Sequence, residues 1–183
     1  MRRYRPPSSQ PAHARVRRTA HASRGLEHAD KPSAEPTADC VPFDTLGLHP
    51  SVLGGVASRG FKLTTPIQAQ VIPVARRGGD LIACAETGTG KTAAFVLPIL
   101  DRLIRRNETA TGTPQRTSVL VLAPTRELAA QVDDDITGFA YHSSITSAVV
   151  CGGLPSEPQE RALRAGVDSV VATPGRLMDH MRS

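Results

Sequence analysis

The chain has 183 residues, a formal net charge of +5, 3% aromatic residues and no tryptophan. This length suits one α/β domain with a tail, and the core of such a domain must be aliphatic. No apolar run approaches the ~20 residues of a membrane-spanning helix, which excludes membrane-embedded classes and predicts no membrane partner.

Residues 1–39 are rich in Arg, Pro, Ser and Ala, and eight Lys/Arg against four Asp/Glu give them a net charge of +4. Such a composition cannot bury enough surface to offset its ordering entropy, so we predict a disordered tail. Three roles stay open. They are a basic tail with weak affinity for RNA, an organelle transit peptide, and an extension without function; the prolines argue against the amphipathic helix of a transit peptide.

Residues 40–183 carry a net charge of only +1 and predict one globular domain. Helical patterns cover Pro50 to Ser58 and the segment after Thr65, where Thr65 is the expected N-cap and Pro66 the first helical residue. Helices then alternate with short apolar runs. This alternation predicts an α/β fold with a parallel sheet whose strands are 81–84, 119–123, 148–151 and 167–172. Ligand-binding groups should gather at the carboxyl ends of these strands.

The three cysteines, Cys40, Cys84 and Cys151, lack the spacing of metal ligands. Cys84 and Cys151 lie in apolar runs, where we expect reduced, buried thiols. Such thiols are typical of a reducing, intracellular protein.

A glycine-rich segment, AETGTGKT, joins the strand at 81–84 to a helix that starts near Ala93. Strand, glycine-rich loop and helix in this order form a P-loop, in which backbone N–H groups and a helix N-terminus cradle phosphates. The predicted nucleotide-binding residues are those of the whole segment: Ala85, Glu86, Thr87, Gly88, Thr89, Gly90, Lys91 and Thr92. Lys91 would neutralise phosphate charge, and Thr92 would offer its hydroxyl to Mg²⁺.

Other motifs flank this segment in a fixed order: GFKLTTPIQ before it, and PTRELAAQ, Gly152-Gly153 and TPGR after it. Together they resemble the Q motif, motif I, motif Ia, the GG element and motif Ib of the first RecA-like domain of a DEAD-box RNA helicase. The resemblance covers about residues 41–183. One departure is Thr64, where the family usually has proline.

This resemblance implies a P-loop NTPase domain of RecA-like fold, incomplete at its C-terminus, that binds ATP and Mg²⁺. Gln68 would hydrogen-bond the adenine edge, because a side-chain amide both donates and accepts. Phe61 would stack on the ring and Phe43 would close the pocket. For each phenylalanine, packing in the core is the competing interpretation.

RNA would bind through its sugar-phosphate backbone, which makes binding independent of sequence and sensitive to salt. The resemblance assigns this contact to three motifs that follow strands: Pro124, Thr125, Arg126, Gly153, Thr173, Pro174, Gly175 and Arg176. Thr125 and Thr173 are also natural helix caps, and a capped helix N-terminus is itself an anion site.

No residue is assigned a catalytic role, because the sequence has no counterpart of the family's Asp-Glu-Ala-Asp segment. The run Asp133-Asp134-Asp135 precedes the GG element and is expected to be a mostly solvated helix face. The resemblance as a whole predicts a cytoplasmic ATP-dependent RNA helicase, or an organellar one if residues 1–39 direct import. The alternative is a non-catalytic nucleotide- and RNA-binding module. An open apolar sheet edge is expected in either case.

Overall fold

The computed structural model describes residues 15–17, 40–110 and 116–182. Strands and helices alternate after residue 80, which confirms the predicted α/β class. A one-turn 3₁₀ helix spans Phe43–Leu46. The remaining elements, in chain order, are β1 (Arg15–Arg17), α1 (Pro50–Ser58), α2 (Pro66–Arg76), β2 (Ile82–Cys84), α3 (Lys91–Thr109), β3 (Val119–Leu122), α4 (Arg126–Phe139), β4 (Ser147–Val150), α5 (Ser156–Ala165), β5 (Ser169–Ala172) and α6 (Pro174–Arg182).

Three of the predicted strands form a parallel sheet in the order β3–β5–β4. Leu122 of β3 and Val150 of β4 both pair with Ala172 of β5. The carboxyl ends of the three strands therefore lie level with one another. Any groups that follow these strands directly are brought to the same edge.

The strand that precedes the P-loop was predicted to belong to the parallel sheet, and this prediction is wrong for the described residues. Strand β2 instead pairs antiparallel with β1, with Arg15 opposite Cys84 and Arg17 opposite Ile82. Arg15–Arg17 is the part of the predicted tail that the structure describes, and it is the strand that pairs with β2. Backbone pairing requires no large side chains, so an unpaired strand edge can recruit even a polar segment. The rest of the predicted tail, 1–14 and 18–39, lies outside the described residues.

The core is aliphatic, as the composition predicts. Val52 of α1, Leu97 and Leu100 of α3 and Val171 of β5 are fully buried. Each such side chain contributes about 1.5–3 kcal/mol to folding when it leaves water. Helices α1, α3 and α4 pack in one cluster, so the helix that follows the P-loop is held by the main core.

Strand β3 lies at one edge of the described parallel sheet, in agreement with the expected open edge, and it also exposes apolar side chains. Its described partner is β5, on one side, and Leu120 and Leu122 are 52% and 57% exposed. An unpaired apolar edge is a template for association between chains. Among the described residues, no helix combines the length and the apolar character needed to cross a membrane.

A buried carboxylate joins three segments of the domain. Asp101 of α3 is 4% exposed and accepts hydrogen bonds from the His49 N–H (2.6 Å), Arg76 Nε (3.1 Å) and Arg105 Nε (3.1 Å). Burial alone would raise the pKa of Asp101, but the hydrogen bonds from Arg105, Arg76 and the His49 N–H outweigh it and lower the pKa. The ionised form is therefore the one that the fold stabilises.

Replacement of Asp101 should destabilise the domain. Asp101→Asn leaves arginine donors without their charged partner, and we expect the free energy of unfolding at pH 7 to fall by about 1–3 kcal/mol. Because the folded-state pKa is lowered, this stabilisation is present above the unfolded-state pKa and disappears as pH falls through the folded-state pKa. Urea unfolding at several pH values measures it. The exposed Asp80→Asn is the matched control, and an equal loss in both variants would contradict the assignment.

Candidate nucleotide and RNA sites

The P-loop occupies residues 85–90, between the end of β2 and the start of α3. Gly90 is the N-cap of α3 and has a φ of 82°, a left-handed conformation that favours glycine. Lys91 and Thr92 are half-buried in the first turn of this helix. The loop thus ends at the N-terminus of a 19-residue helix, which is a favourable place for an anion.

In this structure, side-chain donors are hydrogen-bonded to backbone carbonyls of the loop. Lys91 Nζ donates to the carbonyl oxygen of Ala85 (2.8 Å) and to that of Glu86. Thr89 Oγ1 also donates to the Glu86 carbonyl (2.8 Å). The ammonium group of Lys91 is therefore hydrogen-bonded to its own loop, and a bound phosphate would have to displace these contacts.

The predicted start of α2 is confirmed, with Thr65 as N-cap and Pro66 as the first helical residue. Gln68 is 3% exposed, and its Oε1 accepts a hydrogen bond from the Thr65 N–H (2.9 Å). Its Nε2 donates to the carbonyl of Gly90 (3.1 Å), while Thr65 Oγ1 donates to the carbonyl of Thr89 (2.7 Å). The segment predicted to be a Q motif and the glycine-rich loop are therefore in direct contact.

Sequence reasoning missed the contact between Gln68 and Gly90. The threonine N-cap with glutamine at the third helical position is a capping-box pattern, and it could have predicted the bond to Thr65. The bond to Gly90 joins residues that are 22 positions apart, and no local pattern indicates it.

The two phenylalanines of the predicted adenine pocket pack within the protein. Phe43 is 5% exposed in the main core. Phe61 is half-buried, and its ring centroid lies 6.1 Å from that of Phe139. The guanidinium of Arg59 lies 4.5 Å from the centroid of the Phe139 ring. Core packing, the competing interpretation, describes this arrangement, and stacking on adenine stays a prediction.

Thr64, the departure from the family pattern, fixes the segment that carries Phe43. Its backbone N–H donates to the carbonyl of Val41 (2.8 Å), and its Oγ1 accepts from the Val41 N–H (2.9 Å). Proline at this position could make neither bond. The threonine therefore adds an anchor between the start of the domain and the Q motif.

The three motifs assigned to RNA meet at the carboxyl edge of the sheet, as the parallel arrangement predicts. The guanidinium of Arg126 lies against Gly153: a methyl group added to Gly153 would be 2.0 Å from Arg126 NH1. Arg176 NH2 donates to the carbonyl of Leu154 (3.3 Å). The loop 152–154 thus lies between two arginines, one from each flanking motif.

Thr125 caps the helix that follows it, whereas the backbone of Thr173 continues the pairing of β5 with β4. Thr125 Oγ1 accepts from the N–H of Leu128 (3.2 Å), and the Thr173 N–H donates to the Val150 carbonyl (2.9 Å). Pro124, Thr125 and Arg126 are exposed. In the third motif, Pro174 and Gly175 are exposed, and Thr173 and Arg176 are half-buried. Cationic side chains and helix N-termini at one accessible edge suit an anionic ligand.

Two minor predictions need correction. Cys151 is buried as expected, but Cys84 is exposed, because β2 lies outside the main sheet. In the acidic run, Asp134 is exposed, whereas Asp133 and Asp135 are half-buried. Burial and the neighbouring Asp134 raise the pKa of Asp133 despite a hydrogen bond from Ser147, and Arg59 pairs with Asp135 (2.8 Å).

Comparison with known proteins identifies the family. The family model described as DEAD/DEAH box helicase matches residues 65–183, which is more than half of the chain. The chain belongs to the DEAD/DEAH box helicase family. Its α/β domain corresponds to part of the RecA-like domain that the motifs indicate.

Relatives of this helicase family are similar over most of the chain. The ATP-dependent RNA helicase RhlB of Xanthomonas oryzae is 43% identical over 150 residues, which are 82% of this chain and 26% of the relative. The probable ATP-dependent RNA helicase DDX27 of Mus musculus is 48% identical over 141 residues, 77% of this chain and 18% of the relative. The chain therefore spans about a quarter or less of the length of these helicases.

The left-handed backbone of Gly153 predicts a position-specific loss of stability. Gly153 has a φ of 78°, and this conformation costs a non-glycine residue about 1–2 kcal/mol, whereas the exposed guanidinium of Arg126 can move away from an added methyl group. Urea unfolding should show a loss of at least this size. Gly152→Ala is the matched control, because its added methyl group meets no atom within 4 Å. Equal unfolding midpoints for the two variants would contradict the left-handed conformation of Gly153.

Proposed function

We propose that this chain is the ATP-binding and part of the RNA-binding portion of an ATP-dependent RNA helicase. The observation that carries the proposal is the direct contact between the Q motif and the P-loop, through Gln68 and Gly90. This contact supports the proposal, because Gln68 would then recognise the base next to the loop that would hold the phosphates. The relatives described above are named as ATP-dependent RNA helicases, which supports the same activity.

The P-loop would hold the triphosphate through the backbone N–H groups of residues 86–92 and the N-terminus of α3. Lys91 would leave the carbonyls of Ala85 and Glu86 for the phosphate oxygens, which are stronger partners for an ammonium group. Thr92 stands in the first turn of α3, where its hydroxyl would be a ligand of Mg²⁺. When bound, Mg²⁺ would supply charge neutralisation of the phosphates.

Gln68 would recognise adenine through its amide, which offers a donor and an acceptor at once. Phe61 and Phe43 would line the base, and their packing against the core would hold them in place. An amide reads the donor and acceptor pattern of adenine, which guanine does not present. We therefore propose ATP in preference to GTP.

RNA would bind at the carboxyl edge of β3, β5 and β4. Arg126 and Arg176 contact the loop 152–154 from two sides, so all three motifs would meet one sugar-phosphate backbone. Contacts to phosphate and sugar carry no sequence information. We propose binding of single-stranded RNA without sequence preference, in a soluble, cytoplasmic setting.

A non-catalytic module is the second candidate for the 183-residue chain itself. The sequence has no Asp-Glu-Ala-Asp segment, and phosphoryl transfer requires metal placement, an oriented water and charge neutralisation together. The described residues supply the phosphate cradle. We propose that this chain alone binds ATP but does not turn it over at a helicase rate, and RNA-stimulated hydrolysis by the purified chain would contradict this.

The ATP assignment predicts the effect of one substitution. Lys91→Ala removes a cation that would pair with phosphate, and we expect ATP affinity in Mg²⁺ to fall by about 10-fold or more. Titration calorimetry with ATP and with GTP measures it. Lys62→Ala, which removes the same charge from an exposed position, should leave the affinity unchanged. Equal losses in the two variants, or equal affinities for ATP and GTP, would contradict the proposed site.

The RNA assignment predicts a change in salt dependence. Arg176→Ala should weaken binding of a single-stranded RNA and reduce the slope of log K against log[salt] by about 0.7, the contribution of one phosphate. Fluorescence anisotropy at several salt concentrations measures the slope. Arg161→Ala is the control, because Arg161 lies on α5 and pairs with Glu157. Equal slopes for wild type and Arg176→Ala would contradict the assignment.

A further inference from the structure

The turn of residues 59–61 follows α1 and carries Phe61, the ring that the proposed site places against the base. Its three backbone N–H groups donate to carbonyls in the last turns of α1, at 2.9–3.2 Å. Gly60, at the centre of the turn, has a φ of 80°, a left-handed conformation that favours glycine. The backbone of the turn is therefore set by α1, and the contacts of its side chains decide what else holds it.

Arg59 fastens this turn to the C-terminal half of α4. Its guanidinium pairs with the Asp135 carboxylate (2.8 Å) and donates to the backbone carbonyl of the same residue (3.3 Å). It also lies 4.5 Å from the centroid of the Phe139 ring, within the range of a cation–π interaction. A methyl group added to Gly138 would be 2.6 Å from Arg59 NH1. One side chain therefore meets a carboxylate, a carbonyl and an aromatic ring of the same helix.

Phe139 is the part of α4 that Arg59 and Phe61 both contact. It is 2% exposed, and a methyl group added to Gly55 of α1 would collide with its carbonyl, so α1 and α4 approach closely here. The Phe61 ring lies against the Phe139 ring, with the centroids 6.1 Å and the planes 37° apart. Aromatic pairs at this separation attract each other. Because Phe61 is only half-buried, part of it stays accessible to a ligand while Phe139 supports it.

The geometry points to Arg59 as a positioning residue for Phe61 in the proposed ATP site. Arg59 holds the turn against α4, so Phe61 has its place before a nucleotide arrives. A ring that must be ordered during binding lowers the affinity, whereas a ring that is already ordered does not. Arg59 therefore contributes to the affinity that comes from the base and not to the affinity that comes from the phosphates. This inference rests on the proposed function and adds to it a residue that precedes the GFKLTTPIQ segment.

A purely structural role for Arg59 would give a different result. Arg59 also joins α1 to α4, so its removal lowers the free energy of unfolding under either interpretation. A loss of packing alone would affect a ligand with a base and a ligand without one alike. A positioning role separates the two ligands, because only one of them uses Phe61.

The decisive experiment compares ATP with inorganic tripolyphosphate, each with Mg²⁺, on the full 183-residue chain. Titration calorimetry gives the ratio of the two affinities, which measures what the nucleoside adds. Arg59→Met keeps an unbranched apolar stem and removes the guanidinium. We expect this ratio to fall about 2- to 10-fold, the factor for ordering one side chain on binding, while the tripolyphosphate affinity stays unchanged. A ratio equal to that of wild type in folded Arg59→Met overturns the inference.

Arg164→Met is the matched control. It also removes a guanidinium from an ion pair, with Glu160 (3.7 Å), on the surface of α5. The ratio for this variant should equal that of wild type. A fall as large as that in Arg59→Met would assign the effect to net charge and overturn the positioning role.

A double-mutant cycle tests whether Arg59 acts through Phe61. Phe61→Leu should lower the ratio, because it removes the ring. In this background Arg59→Met should lower the ratio no further, since the residue that Arg59 positions is gone. If the two substitutions instead lower the ratio by independent factors, Arg59 does not act through Phe61 and the inference is wrong.

A second route keeps the test independent of any substitution at Arg59. Asp135→Asn keeps the shape of the partner and removes its charge, so Arg59 loses its ion pair. The ratio should fall in the same direction, and an unchanged ratio in this variant overturns the inference. Asp134→Asn, at the exposed neighbouring position, is the control, and urea unfolding verifies that each variant is folded.

Failure of this inference and failure of the proposed function give different results. If wild type binds ATP and Lys91→Ala does not, but Arg59→Met has the wild-type ratio, the positioning role is wrong and the ATP site stands. If wild type binds neither ATP nor tripolyphosphate, the ATP site itself is wrong, and the positioning role falls with it.

Discussion

The proposed nucleotide site depends on which groups donate hydrogen bonds to the backbone carbonyls of one glycine-rich loop. A hydrogen bond to a carbonyl contributes about 0.5–1.5 kcal/mol to stability, and the carbonyls of Ala85, Glu86, Thr89 and Gly90 each accept one from a side chain. Here the donors are Lys91, Thr89, Thr65 and Gln68. Three of them, Lys91, Thr89 and Gln68, are also residues of the proposed nucleotide site. The closed loop and the proposed bound loop therefore compete for the same groups.

Contacts within the protein also hold the arginines at the carboxyl edge of the parallel sheet, where RNA is proposed to bind. Parallel strands bring their carboxyl ends to one level, and the register of β3, β5 and β4 aligns Leu122, Ala172 and Val150. The arginines that follow β3 and β5 then reach the loop that follows β4. Arg126 lies against Gly153 and 3.8 Å from the carboxylate of Glu127, whereas Arg176 donates to the neutral carbonyl of Leu154. Arg126 is therefore partly paired with a negative charge, and the charge of Arg176 is not compensated by this contact.

The sequence allowed much of this arrangement to be predicted, and the failures have physical causes. Strand and helix periodicity predicted β3, β4 and β5, and the rule for parallel sheets brought Arg126, Gly153 and Arg176 together. The placement of β2 could not be predicted, because strand partners are set by pairing between distant segments. The same holds for the bond from Gln68 to Gly90. Burial of Asp133 against Ser147 was missed because three consecutive acids resemble a solvated face until the neighbouring strand is known.

The central claim is that residues 86–92 bind nucleotide phosphates through their backbone N–H groups, and amide hydrogen exchange tests it most directly. With Mg²⁺ and ATP added to the 183-residue chain, amides within residues 86–92 should exchange more slowly, because they move from open solvent or weak contacts to phosphate oxygens. The same protection should be absent in Lys91→Ala. Unchanged exchange of this loop at saturating ATP, or equal protection in wild type and Lys91→Ala, would contradict the account.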